Sequence, residues 1–234
     1  GSKVSMKERL QRIDEAEQLR WKKQRVAELL GQPVSGVTES PSSLGYRARI
    51  TLKTDSRGRL GYHRPRSHDW VEVPACAIAR PELNEVLERL PPLPELSTAE
   101  LRTDGQRVVL AASQQRRGQR RPAAVFRRAA RDRLASLNLQ GLGLSGAALE
   151  GKAVQGDSRL RFDVHGIQHV LSPSTFFQVN LEVNQALVSA VVETVLAWEP
   201  QGVLDLYSGA GNLSLPLAAA GLPVLQIEQG RGSV

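Results

Sequence analysis

Residues 203–217 read Val203-Leu-Asp-Leu-Tyr-Ser-Gly-Ala-Gly-Asn-Leu-Ser-Leu-Pro-Leu217, and the chain continues through Gly221 and Pro223 to Val224-Leu-Gln-Ile-Glu228. Val203–Leu206 is a short apolar run with strand character. It leads straight into Ser208-Gly-Ala-Gly-Asn212, where the glycines let the backbone turn sharply and approach a ligand. Leu213–Ala220 is expected to form a helix whose free N–H groups face that loop, and Val224–Ile227 a second strand. Glu228 ends this strand, 17 residues after Gly211. A carboxylate there is placed to accept both hydroxyls of a ribose, so the unit reads as half of a nucleoside-binding βαβ fold. Gly209, Gly211 and Glu228 are candidate binding residues, and Asp205 is placed to orient loop amides or a ligand amine. The third glycine of a dinucleotide loop is absent, which argues against NAD and fits S-adenosylmethionine, a cofactor without a pyrophosphate to cradle. The competing reading is a βαβ turn whose glycines are structural.

Upstream, Ser172–Asn180 leads into a helix expected over 181–198, with Asn180 as its cap and Val183, Leu187, Val191, Val195 and Trp198 as its apolar stripe. The middle of the chain alternates β and α character and points to an α+β domain. Tyr46–Lys53 alternates strictly, with Tyr46, Ala48, Ile50 and Leu52 on one face and Arg47, Arg49, Thr51 and Lys53 on the other. Asp55-Ser-Arg-Gly58 turns the chain back into Leu60–His63, giving a hairpin over 46–63. Trp70–Val73 reads as a third strand, Pro81–Leu90 as a short helix with Pro in its first turn, and Leu101–Ala112 as one or two strands around Asp104-Gly105. Residues 122–137 are expected to be helical. Leu142–Leu149, Arg159–Val164 and His169–Leu171 are short strand candidates. Near the start, residues 7–30 form a long amphipathic helix with a break near Asp14, ended by Gly31 and Pro33, and a Pro-, Gly- and Ser-rich linker follows.

The charge is as uneven as the pattern. The 234 residues carry 31 Lys+Arg and 24 Asp+Glu, a net +7. Residues 116–133 hold eight Arg and one Asp, so this one segment accounts for the whole excess. Such a cluster fits a polyanionic partner, because each Arg that neutralises a phosphate releases counterions. The bland alternative is a solvated Arg-rich helix and loop. Composition, with 41% hydrophobic and 24% charged residues, is that of a soluble globular protein. No apolar run reaches the roughly 18–20 residues that span a membrane. No signal peptide opens the sequence, and Gly1-Ser2 reads as a cloning scar, so a cytoplasmic location is expected. A single cysteine excludes an internal disulfide and any four-thiolate zinc or iron–sulfur site built from this chain alone. The four histidines (His63, His68, His165 and His169) show no metal spacing.

Two stretches together carry a family resemblance: Ser172-Pro-Ser-Thr-Phe-Phe-Gln-Val-Asn180, and about 25 residues later Asp205-Leu-Tyr-Ser-Gly-Ala-Gly-Asn-Leu-Ser-Leu-Pro-Leu217. They resemble the RNA uracil-5-methyltransferases, which make 5-methyluridine in ribosomal or transfer RNA. Gln18–Lys22, Gly45–Ile50, Leu60–Arg64, Cys76 with Ile78, and Pro81 with Leu83 support the match. The resemblance implies that Gln178, Tyr207, Asn212 and Glu228 contact S-adenosylmethionine, with Gln178 at its methionine part. It implies that Phe176 or Phe177 stacks at a flipped uridine, where core packing is the alternative for either ring. The basic hairpin face (Arg47, Arg49, Lys53, with His63, Arg64 and Arg66 on the return) and Arg116, Arg117, Arg120 and Arg121 become candidate RNA contacts.

The family's chemistry needs a cysteine nucleophile and a carboxylate base, and both fall after the glycine loop, beyond Val234. The chain is therefore expected to be an inactive fragment that begins a class I, Rossmann-like domain; the full-length enzyme is expected to be a monomer. Some members carry an iron–sulfur cluster, and Cys76 resembles its last ligand. Ser5 and Glu8 stand where the first ligands would fall, so no cluster is expected. Ser208 replaces a cysteine usual in the loop. The organisation expected is a helical segment at 3–31 that packs on the catalytic domain, a central α+β RNA-binding domain at 36–168, and the start of the cofactor domain at 169–234. The alternatives are a non-catalytic RNA-binding module with a degenerate nucleotide fold, and a methyltransferase acting on another base or on a protein.

Overall fold

The computed structural model describes residues 14–67, 69–114 and 123–230. The chain divides into two compact units between Ser43 and Leu44. In the first, helix α1 spans Glu15–Leu30. Asp14 starts this helix by accepting a hydrogen bond from the Glu17 N–H at 2.7 Å, and Gly31 stops it in the left-handed region at φ 68°. The break expected near Asp14 is thus a helix cap. Residues 7–13 of the expected helix lie outside the described residues.

The second unit is built on a seven-stranded sheet. Its strands are β1 (Arg49–Thr54), β2 (Leu60–His63), β3 (Trp70–Glu72), β4 (Leu96–Thr103), β5 (Val108–Gln114), β6 (Gly146–Leu149) and β7 (Lys152–Gly156), in the order β3-β2-β1-β4-β5-β6-β7. All neighbours are antiparallel except β5 and β6. A parallel pair needs a crossover, supplied here by α3 (Ala123–Ala135) and the short α4 (Leu139–Leu142). Helix α2 (Pro81–Arg89) has Pro at its first turn, as expected. It buries Leu83, Val86 and Leu87, while Ala130 and Leu134 of α3 are fully buried. These side chains and the even-numbered residues Ile50, Leu52, Leu101's neighbour Leu110, and Ala112 belong to one apolar core.

The alternation in β5 separates two cores. Val108, Leu110 and Ala112 enter the first, and Val109 points the other way into a second. That second core comprises Leu160, Phe162, Val164, Leu171, Phe177, Val188, Val192 and Leu217. It draws on the hairpin β8 (Leu160–Val164) and β9 (Ile167–Leu171), on α5 (Leu181–Ala197) and on α6 (Ser214–Ala219). The expected limit between residues 168 and 169 falls inside this hairpin.

The apolar stripe expected on α5 is corrected. Asn184, Val188 and Val192 are its buried residues, whereas Leu187 and Trp198 are exposed. The helix is apolar on most sides, so periodicity selects no unique face; the buried face is the one that brings Asn184 to a polar partner. Two parallel strands, β10 (Val203–Leu206) and β11 (Val224–Ile227), complete the fold. Leu204, Leu206, Leu225 and Ile227 on them are exposed. No helix among the described residues is long and apolar enough to cross a membrane.

Candidate nucleoside-binding site

Between β10 and α6 the backbone enters the left-handed region three times, at Tyr207 (φ 59°), Gly209 (φ 56°) and Gly211 (φ 75°). The last two positions explain the glycines differently. A Cβ on Gly211 would lie 2.7 Å from the Leu215 side chain and 2.8 Å from Gln226 Nε2, so only glycine fits. A Cβ on Gly209 would meet nothing within 4 Å. Its backbone is open to a ligand, which is the room a bound nucleoside requires. Tyr207 is not a glycine, and holding a bulky residue at positive φ is strained. Among the described residues it is the most exposed of the large apolar ones, at 84%. Helix α6 starts one residue later than expected and has only six residues, with no side-chain cap.

Glu228 is tied to this loop. One carboxylate oxygen accepts the Gly209 N–H at 2.8 Å and the other accepts the Gly230 N–H. These two backbone donors hold its carboxyl below the usual glutamate range, so it is ionised at neutral pH. Each oxygen retains a lone pair for a further donor.

Around the loop, Phe176, Phe177, Gln178, Leu187, Asp205, Tyr207, Gly209 and Asn212 line one cleft of about 260 Å³. Five residues read from sequence as cofactor contacts (Gln178, Asp205, Tyr207, Gly209 and Asn212) therefore meet at a single opening, with Glu228 joined to it through Gly209. Gly211 supports the turn from below. The two phenylalanines part company. Phe177 is buried and stacks on Phe162 with ring centroids 4.4 Å apart, in keeping with the core-packing alternative. Phe176 is 60% exposed at the cleft rim, with the Arg49 guanidinium 5.3 Å from its centroid.

Three polar residues that pattern reading passed over hold the cleft in shape. Asn184 of α5 and Asn212 of the loop exchange amide hydrogen bonds at 2.8 and 2.9 Å. Buried His169 places Nδ1 3.1 Å from the Ala210 carbonyl. A carbonyl only accepts, so Nδ1 carries the proton, and Nε2 is buried without a partner. Protonating Nε2 would bury an unpaired cationic N–H, and burial accordingly holds this histidine below its ordinary pKa. Arg102 of β4, also buried, donates to the carbonyls of Pro173 and Thr175 and so fixes the segment that presents Phe176 and Gln178. Reading burial of such groups needs their partners. The one available signal was Asn at both 184 and 212, which pattern alone does not pair.

The basic hairpin face is only partly free. Arg47 has its Nε buried without a partner, and Arg49 is half-buried beside Phe176. Glu100 lies on the same face and bonds to Thr51 at 2.7 Å. Lys53, His63, Arg64 and Arg66 are exposed. Arg116, Arg117, Arg120 and Arg121 lie outside the described residues. Cys76 is half-buried, with its backbone N–H bonded to Asn84 Oδ1 at 2.8 Å, and does not line the cleft. Among the described residues no three His, Cys, Asp or Glu converge as a metal site would require.

A parallel strand–glycine loop–helix–strand unit with an ionised acid at the loop is the opening of a Rossmann-like, class I methyltransferase fold. The crystal structure of the Pyrococcus abyssi tRNA (uracil-54, C5)-methyltransferase in complex with S-adenosyl-L-homocysteine matches this fold with a TM-score of 0.73, over 96% of the present chain and 59% of that one, at 21% identity. The sequence is 32% identical to the 23S rRNA (uracil(1939)-C(5))-methyltransferase RlmD of Dichelobacter nodosus, over 80% of the chain and 44% of that protein. It is 29% identical to RlmD of Aeromonas salmonicida, over 86% of the chain and 48% of that protein. No family model matches the sequence. The curated matches make the chain similar to RNA uracil-5-methyltransferases over most of its own length, and it spans about half the length of these relatives.

Proposed function

We propose that this chain carries the S-adenosylmethionine-binding part, together with RNA-binding surface, of an enzyme that methylates C5 of a uridine in ribosomal or transfer RNA. The observation that carries the reading is the convergence of Gln178, Asp205, Tyr207, Gly209 and Asn212 on one cleft, with ionised Glu228 bonded to the Gly209 N–H. When bound, S-adenosylmethionine supplies an electrophilic methyl group. Glu228 would accept the ribose hydroxyls, the open backbone at Gly209 would approach the nucleoside, and Gln178 would face the methionine part. Phe176, exposed at the rim and backed by Arg49, is suited to stack on an extruded base. The chain's cysteine lies away from the cleft, so the nucleophile is not supplied from it and the isolated chain does not transfer methyl groups to RNA.

Calorimetric titration with S-adenosylhomocysteine tests the reading. A saturable one-site isotherm is expected, with no competition from NAD. Absence of binding while RNA is still bound would instead support a non-catalytic RNA-binding module. Transfer of labelled methyl groups to a uracil-containing RNA by the purified chain would refute the assignment of the nucleophile.

A further inference from the structure

A second concave site lies away from the nucleoside cleft, between α3 and β7. Arg127, Arg128 and Arg131 of α3 line one side of a groove of about 500 Å³, and Leu149, Glu150, Lys152 and Val154 line the other. The three arginines fall at i, i+1 and i+4, so Arg127 and Arg131 stand one turn apart on a single helical stripe, about 5–6 Å between Cβ atoms. Lys152 and Val154 both reach the groove from β7, an edge strand of the seven-stranded sheet whose pairing with β6 is broken by a bulge at Val154. Two elements remote in sequence therefore aim four cations at one concavity.

Two carboxylates, Glu150 in the lining and Asp132 on α3, oppose these four cations, which leaves a net excess of positive charge. Arg128 has Asp132 at 3.8 Å, with both side chains largely in solvent. Glu150 accepts the Gln114 N–H at 3.0 Å. Arg127, Arg131 and Lys152 make no ion pair among the described residues. A merely solvated helix normally interleaves opposite charges along its face; here α3 has no acidic residue in its first turn and four Arg against one Asp in all. Buried Leu149 and half-buried Val154 give the groove an apolar floor.

We propose that this groove binds the phosphodiester backbone of single-stranded RNA, with Arg127, Arg131 and Lys152 on successive phosphates and the floor against ribose carbons. The inference rests on the reading of the chain as part of an RNA enzyme, and adds a second RNA-binding site to it. Contacts of this kind position RNA without selecting sequence.

The test measures binding of a labelled single-stranded RNA of about 16 nucleotides across a salt series, using the full chain. Two phosphate contacts removed by Arg127→Gln/Arg131→Gln should lower the slope of log K against log salt by about 1.4. Affinity should fall by a similar factor for every RNA sequence, and S-adenosylhomocysteine binding should not change. Lys152→Gln, on the opposite wall, should lower the slope by about half as much; it guards against a folding defect in the helix variant. Arg89→Gln, on α2, should leave the slope unchanged. An unchanged slope in both groove variants, with wild-type RNA and S-adenosylhomocysteine binding intact, would overturn this inference and leave the proposed function standing. Equal competition by polyglutamate would also overturn it, by making the groove a general polyanion surface. Failure of the wild-type chain to bind either RNA or S-adenosylhomocysteine would overturn the functional reading itself.

Discussion

Val109 and Leu110 are neighbours in β5 and both are fully buried, yet they lie in different cores. Leu110 faces α2 and α3, where packing is almost wholly apolar. Val109 faces the side that carries the candidate nucleoside cleft, where Arg102, His169, Thr175, Asn184 and Ser214 are buried among the apolar groups. One face of the sheet supplies stability through area removed from water. The other spends part of its interior on hydrogen bonds that fix a loop with three residues at positive φ. A cleft that must keep backbone N–H groups and a carboxylate in place requires directional contacts, which apolar packing cannot give.

This contrast is open to direct attack. The largest effect belongs to the apolar face: Leu110→Ala should destabilise the fold by about 2–5 kcal/mol in denaturant unfolding, while the folded fraction binds S-adenosylhomocysteine normally. Arg102→Met should cost about 2 kcal/mol, because two carbonyls lose a charged donor; unlike the first variant, it should also weaken cofactor binding by loosening the segment that holds Gln178. Asn212→Ala should cost about 1–3 kcal/mol by leaving the Asn184 amide buried and unpaired. Combining it with Asn184→Ala should cost less than the sum of the two singles, which a double-mutant cycle would detect.

His169 gives a smaller, pH-dependent effect. Burial lowers its pKa below the ordinary 6.5, so the unfolded chain binds a proton more readily than the folded one. Its contribution to stability is complete above the unfolded value and is lost as pH falls through the folded value. His169→Gln, keeping a donor toward Ala210, should flatten that acid-side decline; an unchanged pH profile would remove His169 from the account. The smallest effect is expected for Phe176→Leu, which should alter stability by less than about 0.5 kcal/mol and lower RNA affinity instead.

The same division explains what the sequence made legible. The apolar face was readable because alternation reports burial directly: Ala48, Ile50 and Leu52 are buried as their spacing requires. Punctuation was equally plain at Asp14, Gly31, Pro81 and Asn180. The glycine loop and its acid were visible as a unit, since strand, turn and carboxylate follow one another in the chain. Weak local signals were lost. Lys152–Gly156 is a strand of low apolar content, and Leu139–Leu142 is a single turn of helix. So were the supports of the cleft. Arg102 reads as one more surface arginine until the carbonyls of Pro173 and Thr175, about 70 residues away, come to meet it. On α5, apolar residues on most sides left the buried face to be chosen by the Asn184–Asn212 pair, a tertiary contact that periodicity does not contain.

The central claim is that Glu228, held ionised by the Gly209 and Gly230 N–H groups, receives the ribose of S-adenosylmethionine. It is tested most directly by titrating the wild-type chain and Glu228→Ala with S-adenosylhomocysteine and with its 2′,3′-dideoxy analogue. The wild-type chain should prefer the intact ribose by about tenfold or more, and the variant should bind both ligands alike. A variant that keeps the preference, or a wild-type chain that never had one, would contradict the account.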